Sequence, residues 1–374
     1  MSTGAKRRLV AMVHKESLQI LRDPSSIAIA FVMPLVLLFL FGYGVSLDAK
    51  NIPLGMVVEQ PDNASHSLTA SFEQSEFFDP VYFDSIISAE QALKERSIDG
   101  IVWLRNNFSS QLLAHREPAI GIIVNGVDSN QANITQGYIQ GVWIAWLSRF
   151  VEQKGQKLQM PVAMEQRVWF NPAMSSRYFL VPGLIAIIMT LTGSLLTAMV
   201  VAREWERGTM EALMITPIHM GEMLLGKLIP YFALGMGGMF LCVALAIWQF
   251  NVPLLGSFWL LTACSALFML VSLAIGLLIS VVAKNQFVAG QIALIVSFLP
   301  AFLLSGFLFD INSMPEIIQW ITHIVPARYF VAIIQTLFLA GNIWPVILSN
   351  VAALMLMLIV FILLVWKKSH KHLE

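Results

Sequence analysis

The chain has 374 residues, of which 57% are hydrophobic and 12% charged, about half the charged share of an ordinary soluble domain. A soluble globule could not cover its surface at that composition. The 23 basic and 23 acidic residues cancel, which excludes a global basic field for nucleic acid, and the two cysteines, Cys242 and Cys264, lie in apolar runs without disulfide or metal-ligand spacing.

Residues 1–26 mix Leu9, Val13, Ile20 and Leu21 with charged side chains, and the pattern predicts an amphipathic helix lying along the cytoplasmic membrane surface. Asp23-Pro24 then turns the chain inward. A bilayer core about 30 Å thick takes about 20 apolar residues in helical form. Six runs reach that length, from about Ile27 to Leu47, Phe179 to Val201, Leu224 to Trp248, Leu254 to Ala283, Phe287 to Phe309 and Ile343 to Trp366. We read them as uncharged spans and assign Lys227 to the connection between the second and third. Pro34, Pro182, Pro230 and Pro300 fall inside them, so kinks or broken ends are expected there.

The basic flank of the first run, Lys6, Arg7, Arg8, Lys15 and Arg22, is that of a signal peptide. The run is too long, however, and no small-residue cleavage site follows, so it is read as an uncleaved transmembrane helix over 27–47. Arg203, Arg207 and Lys227, then Lys284, then Lys367, Lys368 and Lys371 lie in the loops of one side, against Arg328 alone in the short loops of the other. Basic loops stay inside, so both termini are expected in the cytoplasm and residues 48–177 outside it.

The stretch 48–177 has ordinary polarity and the length of one small domain. Strands are predicted at Ile52 to Val58, Val81 to Phe83, Gly100 to Leu104 and Ala119 to Val124. Helices are predicted at Ala64 to Gln74, Ala89 to Arg96, Phe108 to Leu113 and Ser129 to Glu152, which makes a mixed α/β domain inserted between spans one and two. Spans two to six occupy 178–366, with a cytoplasmic loop at 202–219. An outer segment at 310–342 is too apolar for a solvated loop and too interrupted for a span, so it is read as short re-entrant helices, and 367–374 is a cytoplasmic tail. The fold class is thus a polytopic α-helical membrane protein with six transmembrane helices and an α/β extracytoplasmic domain.

Two motif lookalikes fail on chemistry. Gly221-Glu-Met-Leu-Leu-Gly226-Lys227-Leu228 nearly matches a phosphate loop, but Leu228 stands where a hydroxyl would hold magnesium and no strand precedes the glycines. Phe41-Gly42-Tyr43-Gly44 has the glycines of a potassium filter but ends a full-length span. The triplets at Asn63, Asn107 and Asn133 match glycosylation acceptors, and we attach no function to them. Methionines are frequent around spans two and three (Met189, Met199, Met210, Met214, Met220, Met223, Met236, Met239) and could line a permissive apolar path. Met189, Thr190, Ser194 and Thr197 are the candidate substrate-path residues, against a plain helix-packing role for the same side chains.

The loop after span two is the most informative segment. Arg203, Glu204, Glu206, Arg207 and Glu211 crowd around Gly208 and Thr209, and anionic headgroups would repel its three carboxylates, so a protein is expected to meet it. Glu204-Trp-Glu-Arg-Gly-Thr-Met-Glu211, followed by Leu213 and Thr216-Pro217, resembles the E-x-E-x-G-T-x-E-x-L-x-x-T-P signature of ABC-2 type transporter permeases. The order of parts is also similar, including Pro-Ala-Arg-Tyr-Phe at Pro326 to Phe330.

The resemblance implies an exporter membrane subunit in the bacterial inner membrane, itself not an enzyme and holding no cofactor. ATP and magnesium would sit on a separate ABC ATP-binding subunit. Arg203, Glu204, Glu206, Arg207, Gly208, Thr209, Glu211, Thr216 and Pro217 would then form the coupling segment that docks into it. The resemblance further implies a second permease subunit, as homo- or heterodimer, and a periplasmic adaptor leading to an outer-membrane channel. Two other readings compete: a membrane sensor or assembly factor, and a proton-coupled transporter, which would need ionisable groups within the spans.

Overall fold

The computed structural model describes residues 3–44, 51–113, 120–127, 129–153, 175–209 and 220–368. The chain divides into two units, Met1–Ser46 with Val168–Glu374, and Leu47–Arg167.

The first unit begins with α1 (Thr3–Leu21), whose Met12 and Ile20 are buried while Val10, Leu18 and Leu21 are exposed. Asp23 caps the short α2 (Pro24–Ile27), which runs through a π turn (Ala28–Val32) into α3 (Met33–Gly44). The π turn has a cause in the sequence. The ring of Pro34 would strike the carbonyl four residues back, that of Ala30, and a widened turn relieves the conflict.

The inserted unit is built on β1 (Ile52–Val58), α4 (Asn63–Glu73), β2 (Phe78–Phe83), α5 (Ile86–Lys94), β3 (Gly100–Leu104), α6 (Phe108–Leu113), β4 (Ile120–Val124) and α7 (Ser129–Gln153). The strand order is β2-β1-β3-β4, with β1 parallel to β2 and β3, and β4 antiparallel on the edge. Parallel neighbours need crossovers, and α4 and α5 supply them. Side chains alternate faces as a strand requires. Leu54, Met56, Val102 and Leu104 pack with Leu68, Phe72, Ile139 and Trp146, whereas Val57 and Ile101 pack with Ala89 and Ala92. Trp146 buries its ring and donates from Nε1 to Ser67 Oγ at 3.0 Å. The predicted strands at Ile52–Val58 and Gly100–Leu104 coincide with β1 and β3, and the read at Val81 to Phe83 is extended to Phe78.

The remaining helices are α8 (Ser176–Glu206), α9 (Met220–Trp248), α10 (Phe258–Ala283), α11 (Gln286–Ala293), α12 (Leu299–Leu304), α13 (Glu316–Thr322), α14 (Pro326–Leu339) and α15 (Trp344–Lys368). A second π turn, Leu294–Phe298, joins α11 to α12 and again lies upstream of a proline, Pro300. Among the described residues, six helical segments are long and apolar enough to cross a membrane. A seventh candidate is the pair α13 and α14, bent by 81°. At that corner Arg328 Nη1 donates to the Thr322 hydroxyl and lies 3.0 Å from His323 Nδ1.

α8 is the axis of the helical unit. Its most apolar stretch is 89% buried, against 11% for α15. Small residues make that possible, because Gly193, Ser194 and Thr197 meet Ser272 and Gly276 of α10 so closely that a Cβ at Gly276 would collide with the Ser194 carbonyl. Thr197 Oγ1 donates to Leu273 O at 2.8 Å, and Ser280 Oγ accepts from the amides of Val201 and Ala202, both at 2.9 Å.

One expectation is corrected. Lys227 is not in a loop but in the second turn of α9, with 2% exposure. The span is not free of charge, so the objection to proton coupling that rested on uncharged spans does not hold for α9. The phosphate-loop lookalike is likewise helix: Gly221 to Leu228 lie within α9, and Gly226 lets Met12 of α1 come close.

Candidate functional site

α8 leaves its packed surroundings through Arg203 and Glu204, which are buried, and Glu206, Arg207, Gly208 and Thr209, which are exposed. Glu211, Thr216 and Pro217 lie outside the described residues. The first two charges therefore face inward, and what they meet comes from α1 and α9.

Lys227 Nζ lies 2.8 Å from Glu16 Oε1 and 2.9 Å from Glu204 Oε1. Lys15 Nζ joins from the rim, 3.1 Å from Glu204 Oε1 and 3.5 Å from Glu16 Oε1. The Thr209 hydroxyl donates to the other oxygen of Glu204. Two ammonium groups thus face two carboxylates, and the cluster is neutral as a whole. An isolated ion at such a depth would cost several kcal/mol, so the members hold one another in place. Glu16 Oε2 has no hydrogen-bond partner, which leaves the cluster under-satisfied at one corner.

Two further ion pairs flank it. Arg8 grips Glu222 with Nε and Nη2 at 2.9 and 2.8 Å, a two-pronged contact that fixes α1 against the first turn of α9. Arg203 Nη1 lies 2.9 Å from Asp23 Oδ2. Partial burial raises the Asp23 carboxyl, but donation from Ser25 and Ser26 and the Arg203 charge outweigh it and bring the group down to about 2.

The exposed part of the loop is tied to the turn between α10 and α11. Glu206 Oε2 accepts the Gln286 amide at 3.0 Å, a carboxylate at a helix N-terminus, and Lys284, in a left-handed conformation, lies over the Trp205 ring at 4.9 Å. The end of α8 is therefore a junction of α1, α9, α10 and α11. Its charge contacts and the helix start capped by Glu206 tie it to four other elements.

Met189, Thr190, Ser194 and Thr197 are all buried in the packing of α8. The hydroxyls of Thr190, Ser194 and Thr197 donate to carbonyls at Ala186, Thr190, and Gly193 with Leu273. A path along this face would require α8 and α10 to part.

The cluster partners Glu16 and Lys227, and the pairs Asp23 with Arg203 and Arg8 with Glu222, escaped the sequence reading. One signal was present: α1 carries an acid among its bases while α9 carries a lone base at its start, which is the pattern of two facing helices exchanging charge.

Comparison with known proteins places this junction in a family setting. The profile described as ABC-2 family transporter protein matches residues 24–367. The chain is similar to the "Probable multidrug ABC transporter permease YbhS" of Escherichia coli (strain K12), 44% identical over 369 residues and covering 98% of each chain. It is also similar to "Probable multidrug ABC transporter permease YbhR" of the same organism, 28% identical over 91% of this chain and 94% of the relative. A third relative, "Inner membrane transport permease YhhJ", is 30% identical over 66% of this chain and 67% of its own length.

Proposed function

The chain belongs to the ABC-2 family of transporter proteins, and from that premise we propose that it is the membrane subunit of an ATP-driven exporter. The observation that carries the reading is the near full-length match to permeases, 44% identical in one case, in a chain whose described residues include six apolar helices long enough to span a bilayer. ATP and magnesium are bound by a separate ABC subunit, and this chain supplies shape rather than bond chemistry. The segment 202–219 lies on the cytoplasmic side and receives the ATPase through its outward part, Glu206 to Thr209, with Glu211, Thr216 and Pro217. Arg203 and Glu204 serve it from behind, as the link that carries movement to α1 and α9.

In this reading the protein sits in a bacterial inner membrane with both termini cytoplasmic and the inserted α/β unit outside. Two permease subunits, alike or different, enclose the path. The inserted unit faces an adaptor that leads to an outer-membrane channel, and substrate moves outward. Affinity purification of the tagged chain together with its ATP-binding subunit tests the core of the proposal. Glu211→Lys should stay in the membrane, lose the ATPase subunit and stop export; full retention of binding and transport would leave the segment an ordinary turn.

A further inference from the structure

A cavity of about 610 Å³ opens beside the charge cluster, lined by Lys15, Arg22, Asp23, Arg203, Arg207 and Gln286, with Leu18 at its edge. Its charges do not cancel. The cluster of Lys15, Lys227, Glu16 and Glu204 is neutral, and Asp23 neutralises Arg203. Arg22 and Arg207 remain, exposed and without a carboxylate partner among the described residues. Arg203, 7% exposed in the cavity wall, has an Nε with no hydrogen-bond acceptor. The site therefore holds two spare guanidinium groups and one under-satisfied one, all planar donors suited to phosphate oxygens.

The surroundings select the kind of phosphate. Leu18 lines the cavity at 41% exposure, and Leu21 and Ile27, three and nine residues further along the chain, are exposed at 71% and 37%. These apolar side chains flank the start of the first membrane span. A cationic cavity beside an apolar rim matches an amphiphile with an anionic phosphate head, and basic pockets between membrane helices hold such heads. We propose that this cavity binds the phosphate group of an anionic glycerophospholipid, with Arg22 and Arg207 on the phosphate and the acyl chains along Leu21 and Ile27. A bound head would span α1 and the end of α8, the two elements that the charge cluster already joins. Lipid binding is read on the chain without an ATPase subunit, so its outcome is separate from that of the coupling test, although Arg207 belongs to both segments.

The test uses the full chain purified in neutral detergent, with lipid binding read by native mass spectrometry. Phosphatidylglycerol should bind saturably and phosphatidylcholine about tenfold more weakly, the effect of about 1.4 kcal/mol. Arg22→Gln with Arg207→Gln should weaken phosphatidylglycerol at least as much, while Lys94→Gln, on α5, leaves it unchanged. Arg22→Glu alone, at an exposed position, gives a second reading if the double variant does not fold. Competition by soluble glycerol phosphate at similar concentrations would show that the acyl chains contribute nothing and would overturn the lipid assignment; its failure to compete supports it. Equal binding of both lipids, or full phosphatidylglycerol binding by the arginine variants, would overturn it. So would lipid binding indifferent to Arg22→Glu while ATPase association falls, which would give the cavity to a protein carboxylate.

Discussion

The two units of the chain keep opposite accounts of polarity. In the inserted unit the buried polar groups are hydroxyls such as those of Ser65, Thr69 and Thr135, and the apolar side chains close around a sheet. In the helical unit the outward face is apolar, as at Leu356, Ile359 and Leu363 of α15, and every buried charged side chain among the described residues is here: Glu16, Arg203, Glu204 and Lys227. The solvent each surface expects explains the inversion. Water rewards a charged exterior, whereas lipid leaves a charge nowhere to go but inward, against another charge. Stability in the helical unit should then hang on single ions, and in the inserted unit on many small contacts.

The largest effect should come from breaking the cluster. Lys227→Ala leaves Glu16 and Glu204 buried with only Lys15, and removal of one partner of a buried pair costs about 3 to 5 kcal/mol. Thermal unfolding in detergent should show the loss, and a midpoint like that of the wild type would mean the cluster is hydrated. Next is Gly276→Leu, which forces α8 from α10; overpacking of this kind costs about 1 to 3 kcal/mol, visible as a reduced yield of folded protein. In the inserted unit the comparable single change is smaller. Asp62 caps α4 by accepting the Ser65 amide at 2.8 Å, and Asp62→Ala should cost about 1 kcal/mol, read as faster hydrogen exchange confined to α4.

The smallest effect is one of pH. The Asp23 carboxyl is lowered from 3.8 to about 2 in the fold, so its contribution is full above about pH 4 and is lost as the pH falls towards 2. The gap in thermal midpoint between wild type and Asp23→Asn should narrow over that window. A gap that widens on acidification would reverse the sign of the Arg203 contact.

What could be read from the sequence follows the same division. In the inserted unit the short apolar runs Ile52–Val58 and Gly100–Leu104 mark strands, and both faces of these strands meet a core. In the helical unit apolar length marks the spans, but length says nothing of which side faces protein. Lys227 was hidden for that reason: one base at the start of an apolar run reads as its flank, and only the partners on α1 and α8 reveal that it lies inside. The segment from Arg203 to Glu211 stood out by its charge density, while the inward turn of Arg203 and Glu204 did not, since adjacent residues on a helix end differ in direction and not in composition. The π turns were equally silent, although Pro34 and Pro300 located them to within a turn.

Those two π turns fix helical phase. One residue corresponds to about 100° of rotation along an α-helix, so a turn wider than the usual one resets the heading of everything beyond it. Beyond the first, Gly42 faces the Phe250 ring, Gln249 Nε2 donates to Tyr43 OH at 2.9 Å, and Phe41 meets Phe302 with ring centroids 5.8 Å apart. Phe302 lies beyond the second. The first and fifth spans thus meet on surfaces that have each been re-clocked by a widened turn a few residues earlier, and drawing Ala28–Val32 into an ordinary α turn with no residue removed would swing Phe41 by about 100° out of register with its partner.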